Sequence, residues 1–166
     1  MSTHLTIAED DPSDPQIEAF LREHLAEMRS VSPPGSSHAL DPAGLMAPDL
    51  TFWSVRCDGE LVGCGALKQL EEGHAEIKSM RVSACHRSRG IASRLLAHLL
   101  AEAEERGHVR LSLETGSMAF FEPARRLYAR HGFEPCGPFG TYAPDPNSVF
   151  LTRVDPGPVR RPTSAG

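Results

Sequence analysis

Apolar and polar positions along this chain follow two periods, and the switches between them mark its elements. Residues 4–8 (HLTIA) read as a short opening strand. Asp14 then offers an N-cap and Pro15 suits a first helical position. Ile17, Phe20, Leu21, Leu25 and Met28 follow at helical spacing, with Glu18, Arg22, Glu23 and Glu27 on the opposite face. Thr51–Arg56 and Leu61–Lys68 are strand-like runs joined by Asp58-Gly59, which favours a tight hairpin. After a turn at Glu71-Glu72-Gly73, His74–Val82 (HAEIKSMRV) predicts the fourth strand. Ile91, Leu95, Leu99 and Ala103 recur every four residues, widened by Ala92, Leu96 and Leu100, until Gly107 ends the helix. Val109–Glu114 is again strand-like, so the chain makes a strand–helix–strand unit, which implies a right-handed parallel crossover. A second apolar helix face carries Ala124, Leu127, Tyr128 and His131 between Pro123 and Gly132, and Ser148–Val154 supplies a last strand.

Two stretches follow neither period. Ser30–Asp49 is rich in Pro, Gly, Ser and Ala and reads as a functional lid or a partly disordered loop, with room for a short helix near Pro42–Met46 and with His38 in its middle. Residues 155–166 read as a disordered tail, leaving one domain over 1–154. The 166 residues suffice for a core without covalent staples. Cys57, Cys64, Cys85 and Cys136 form no CxxC pair, which gives no support for a zinc ribbon or a dithiol site. No apolar run reaches membrane-spanning length. Together these predict a reduced cytoplasmic protein with no membrane partner and no metal.

Charge sharpens one place. The net charge is −5, which argues against nucleic acid as a partner, yet Arg81, Arg87, Arg89 and Arg94 cluster around one turn. That turn, Arg87-Ser88-Arg89-Gly90-Ile91-Ala92, lies between a strand and an apolar helix. Unpaired amides, the positive end of a helix and guanidinium groups together make an anion site, and a pyrophosphate fits it.

The pattern Arg87-x-x-Gly90-x-Ala92, followed by Leu127-Tyr128 and Gly132-Phe133, resembles the GNAT superfamily of acetyl-CoA-dependent N-acetyltransferases over roughly residues 1–154. GCGALK (63–68), EIKSMR (76–81), LETGS (113–117) and PFGTYAPDPNSVF (138–150) are similar to its YsnE-like bacterial branch. The resemblance implies an α/β fold: a central mixed, mostly antiparallel sheet, splayed between the fourth and fifth strands and flanked by helices. It implies transfer of an acetyl group from acetyl-CoA to a primary amine, by direct attack in a ternary complex. A non-catalytic acyl-CoA-binding module and a protein or peptide N-acetyltransferase are the alternatives. Many relatives form dimers, so a homodimer stays open.

The same resemblance distributes the work. Main-chain groups of Met80, Arg81 and Val82 would hold the pantetheine arm, and Arg87, Ser88, Arg89, Gly90, Ile91 and Ala92 the pyrophosphate. Tyr128 would protonate the leaving thiolate. Glu76 would take the amine proton, with Glu114 as its rival and His74 as a third candidate. Strict alternation puts Glu76 on the same side as Lys78 and Met80, unless a bulge intervenes. The acceptor, a small amine or amino-acid-like molecule, would meet His38, Lys78, Ser79, Glu114, Thr115, Tyr142 and Asn147, with Trp53 and Phe139 nearby. Lys78 could hold an acceptor carboxylate. Many members carry an asparagine seven residues before the tyrosine; Phe121 stands there in this chain. Cys85 has no histidine–acid pair to activate it, which disfavours an acyl-cysteine intermediate.

Overall fold

A computed structural model describes residues 4–32, 44–87 and 89–155. His38, Ser88 and the tail from residue 156 onward lie outside the described residues. The chain runs β1 (Leu5–Glu9), α1 (Pro15–Val31), β2 (Leu50–Cys57), β3 (Glu60–Glu71), β4 (His74–Val82), α2 (Ile91–Glu105), β5 (Arg110–Gly116), α3 (Glu122–Arg130), β6 (Glu134–Cys136) and β7 (Ser148–Val154). Short 3₁₀ turns occupy 44–46, 84–86 and 119–121.

The seven strands form one sheet in the order β1-β2-β3-β4-β5-β7-β6. Every pairing is antiparallel except β4 with β5. The mixed α/β sheet implied by the resemblance is therefore present. Its parallel junction is short: only His74, Ala75 and Glu76 pair, with Arg110, Leu111 and Ser112. Beyond Glu76 the two strands diverge, and this gap positions the site.

Each face of the sheet is covered according to the periodicity that built the helices. Ile17, Phe20 and Leu21 of α1 pack on Phe52, Leu61, Cys64 and Ala66 on one face. Leu95, Leu96, Leu99 and Ala103 of α2 and Leu127 and Tyr128 of α3 pack on Val62, Leu67, Ile77, Leu111 and Leu113 on the other. α1 begins as the sequence suggests, with the Asp14 carboxylate accepting from the amides of Gln16 and Ile17. The hairpin turn takes positive φ at both Asp58 and Gly59 (50° and 86°), as its dipeptide favours.

Three expectations need correction. β4 carries a bulge: Cys64 pairs with Arg81 but Ala66 with Lys78, so three steps on β4 oppose two on β3. Ser79 takes φ +53° to accommodate it. Met80 thus packs with Ile77 on the α2 face instead of siding with Glu76 and Lys78. Secondly, a strand absent from the sequence reading, β6, pairs at the sheet edge, where Pro135 can sit without breaking an inner ladder. Thirdly, Trp53 is 1% exposed within the α2-side core, edge-on to His98, and stands away from the site.

Leu99 is fully buried, and its Cδ1 would lie 3.1 Å from a Cβ placed on Gly65 of β3, so α2 and the sheet are in close contact there. Leu99→Ala is expected to cost about 2–5 kcal/mol of stability. A urea titration checks this as a lower midpoint at unchanged slope.

Candidate active site

A cavity of about 540 Å³ opens where β4 and β5 part. Its lining runs from α1 through the bulge of β4 to the start of α2, and from the end of β5 to α3 and the segment before β7. Of the sequence-nominated residues, it brings together Glu76, Lys78, Ser79, Met80, Arg81, Val82, Arg87, Gly90, Ile91, Ala92, Glu114, Thr115, Tyr128, Tyr142 and Asn147. Arg89 is exposed on the same turn without lining the cavity. His74 is buried beside the parallel junction, where its Nε2 lies 2.7 Å from Ser112 Oγ. Phe139 supports the site from behind, in edge contact with Tyr142 and Phe150.

One end of the cavity suits an anion. Gly90 sits at the N-cap of α2 with φ +76°, and among the described residues no side chain caps that end. The first amides of α2 have no intrahelical acceptor, so they remain available to a ligand. A Cβ at Gly90 would meet nothing within 4 Å, so it is the left-handed φ, not crowding, that favours glycine here. Arg87 faces Glu27 of α1, Nη2 to Oε1 at 2.8 Å, and stacks over Phe120 at 5.7 Å.

Along the gap, β4 past Glu76 bonds to β3 on one side and, among the described residues, to no strand on the other. An extended arm can pair with that open backbone as an added strand would. On the α2 face, Tyr128 reaches over from α3 until its hydroxyl lies 3.8 Å from Met80 Sδ. Burial, and then the charge of Glu114, pushes the Tyr128 phenol up to about 12, so it stays protonated at neutral pH. The Phe121 ring packs against Gly116 so closely that a Cβ there would lie 2.2 Å from it.

On the opposite face sits a tight polar cluster. Glu76 is 3% exposed. Its Oε2 accepts from Lys78 Nζ at 3.2 Å and from the Tyr142 hydroxyl at 2.5 Å, while Lys78 Nζ also donates to Tyr142 Oη at 3.0 Å. Burial raises the Tyr142 phenol, helped by the charge of Glu76 and the bond to it. Glu114 is the contrasting carboxyl. Burial pushes it up to about 7, with Glu76 and Asp145 adding repulsion and Lys78 opposing. Ser79 Oγ is buried and has no partner among the described residues.

Two residues facing the cavity are ones the sequence did not nominate for it: Glu27, read on the polar face of its helix, and His24, which nothing in the sequence singled out. His24 and Glu27 of α1 turn toward Arg81 and Arg87. Burial and then Arg81 hold the His24 imidazole down at about 4, so it is neutral at pH 7. Their i,i+3 spacing was visible, but only the packing of α1 against the end of β4 gives it meaning.

A model of the acetyltransferase (GNAT) family matches residues 17–133. The chain belongs to this family. The uncharacterized N-acetyltransferase YsnE of Bacillus subtilis (strain 168) is 54% identical over 144 residues, covering 87% of this chain and 95% of YsnE. A solved acyl-CoA N-acyltransferase-type structure from Klebsiella pneumoniae superposes with a TM-score of 0.74 at 32% identity, covering 90% of this chain and 97% of that one. A GNAT acetyltransferase from Elizabethkingia anophelis, solved with acetyl-CoA bound, shares the fold at a TM-score of 0.65 and 18% identity, covering 90% and 97%. The protein is a GNAT family N-acetyltransferase. Among the described residues no helix is long and apolar enough to cross a membrane, and no three His, Cys, Asp or Glu side chains gather where they could hold a metal.

The raised Glu114 carboxyl makes a stability prediction with a definite sign. Its folded value of about 7 stands above its ordinary 4.5, so the folded state holds the proton more tightly. That contribution is complete below the ordinary value and is lost as pH rises through about 7. Glu114→Gln cannot ionise. Its melting temperature relative to the parent is expected to rise between pH 5 and pH 8 in thermal scans; a difference independent of pH would refute the buried-acid reading.

Proposed function

We propose that this N-acetyltransferase moves an acetyl group from acetyl-CoA directly to a primary amine of a small molecule, with both substrates bound at once. The observation that carries the reading is the pairing of Glu114, with its pKa near neutrality, and protonated Tyr128 within one cavity that passes between two strands. Direct transfer needs a base on the acceptor side and an acid on the thiol side.

In this reading the amides at the start of α2 and Arg87 hold the pyrophosphate, and the open edge of β4 holds the pantetheine arm. Ser88, within the same turn, belongs to this set by sequence. Glu114 takes a proton from the incoming ammonium, directly or through water. The neutral nitrogen attacks the thioester carbonyl carbon, forming the C–N bond. A main-chain N–H near Met80 holds the carbonyl oxygen as negative charge grows on it. The C–S bond then breaks, the departing thiolate takes the Tyr128 hydroxyl proton, and the second proton shed by the nitrogen passes through water and restores the Tyr128 phenol.

Glu76 has a different task from Glu114. Two donors already occupy its Oε2, so it and Lys78 orient Tyr142 at the wall of the acceptor side. Thr115, Asn147 and Ser79 line the same region, and His38 belongs to the preceding loop in sequence.

The acidic limb of the kcat/KM profile is expected to titrate near pH 7, because Glu114 must be deprotonated. Glu114→Gln should lower kcat/KM by about 10²–10⁴-fold and abolish that limb. Tyr128→Phe should lower kcat while leaving acetyl-CoA affinity intact. Thiol release against an amine panel, with mass spectrometry of the products, measures all three. Saturable acetyl-CoA binding with no acetylated amine would instead support a non-catalytic acyl-CoA-binding module.

A further inference from the structure

Arg81 is a buried cation with less compensation than its position demands. Its side chain is 7% exposed, stands over the Phe20 ring at 5.3 Å and lines the cavity. Among the described residues, both of its polar contacts pass through Nη1, to His24 Nδ1 and to Glu27 Oε1, and both measure 3.5 Å. Contacts of that length are at the outer limit for a hydrogen bond. Its Nε is buried and pairs with nothing among the described residues. An unsatisfied donor on a buried guanidinium is costly, and such groups are ordinarily paired.

The neighbours do not cancel its charge. His24 is neutral at pH 7, as its lowered pKa shows. The Glu27 carboxylate is shared: the same Oε1 lies closer to Arg87, at 2.8 Å, than to Arg81. Among the described residues, these two arginines and one carboxylate leave a net single positive charge along the α1 wall of the cavity. Lys78, the other cation on the acceptor side, is already neutralised by Glu76 and held by Tyr142. The unmet demand for an anion therefore falls on Arg81.

We infer that the Arg81 guanidinium is a carboxylate-binding subsite for the acceptor, so the amine acetylated here carries a carboxylate of its own. The inference rests on the acetyltransfer reading above and names its substrate class. Arg81 projects from the residue after Met80 toward α1, the face opposite Met80 and Tyr128, so it addresses the acceptor and not the thiol end of the donor. A guanidinium edge matches a carboxylate with two parallel hydrogen bonds. Glu27 beside it disfavours a doubly charged phosphate, because like charges would be brought together in a poorly solvated site. Glu27 acts as an internal stand-in, partly satisfying Arg81 until the acceptor arrives.

The test titrates CoA-loaded protein calorimetrically with α-, β- and γ-amino acids and with their carboxamides, alongside turnover at saturating acetyl-CoA. At least one acid is expected to bind about tenfold or more tightly than its amide, the scale of a charge-assisted hydrogen-bond pair. Arg81→Gln should reduce that preference to within about twofold. Glu27→Gln, which removes the competing internal carboxylate, should tighten the acids and leave the amides alone, an effect opposite to that of simple structural damage. If Arg81→Gln does not fold, the sign of the Glu27→Gln response decides. The inference is overturned if acids bind no better than amides, if no acid binds, or if Arg81→Gln weakens CoA instead, which would make the pyrophosphate its ligand. A preference for acids without any acetylated product would keep the subsite and refute the acetyltransfer reading, so the two fail separately.

Discussion

The parallel ladder between β4 and β5 stops after three residue pairs, and the site depends on that stop. Two strands that kept pairing would fill the middle of the sheet with their own hydrogen bonds. Here β4 takes an extra residue against β3 at Ser79–Met80 and turns away, while β5 continues against β7 through Gly116. The gap lets Tyr128, anchored in the core on one face, share a cavity with Glu114 and Tyr142 on the other. The bulge also reverses the facing of everything after it. It sends Met80 toward α3 and Arg81 toward α1, giving adjacent residues access to opposite sides of the sheet.

The polar groups around this gap are ranked by what already holds them. Glu76 and Lys78 satisfy each other and Tyr142, and form a wall. Glu114 has burial and like charge against it, and keeps its proton to near neutrality. Arg81 has one loosely held nitrogen and an orphaned one. Residues that are fully partnered shape the space; those left short of partners are suited to act on a ligand. This distinction separates Glu76 from Glu114 more clearly than sequence position could, since both are glutamates on neighbouring strands.

Much of the architecture could be read directly. The Asp14–Pro15 start, the Asp58-Gly59 hairpin and the four-residue apolar repeat of α2 each carry their structural meaning in the local sequence. Arg87, Gly90, Ile91, Ala92 and Tyr128, which carry the family pattern in the sequence, all line the cavity. The bulge was not legible, because Ser79 is an ordinary L-residue in a positive-φ conformation that glycine or asparagine would have signalled. β6 was hidden by Pro135, which is tolerated only because the strand lies at an edge. Glu27 looked like part of a solvated helix face, and its role appears only when β4 brings Arg81 against α1. The Glu114 shift is collective, drawing on Lys78, Glu76 and Asp145 from elsewhere in the chain.

The two long helices differ at their starts. α1 supplies its own Asp14 carboxylate to its first amides, whereas α2 begins at a bare Gly90. A glycine at the N-cap costs a helix only about a few tenths of a kcal/mol relative to a capping side chain, and it leaves the first amides without an acceptor. Ile91 anchors that first turn in the core, so what it lacks is acceptors for its amides and not packing. An anion docked there would act as the missing cap. Occupancy of the cavity would then add to the stability of the folded chain, since a ligand that binds only the folded state stabilises it.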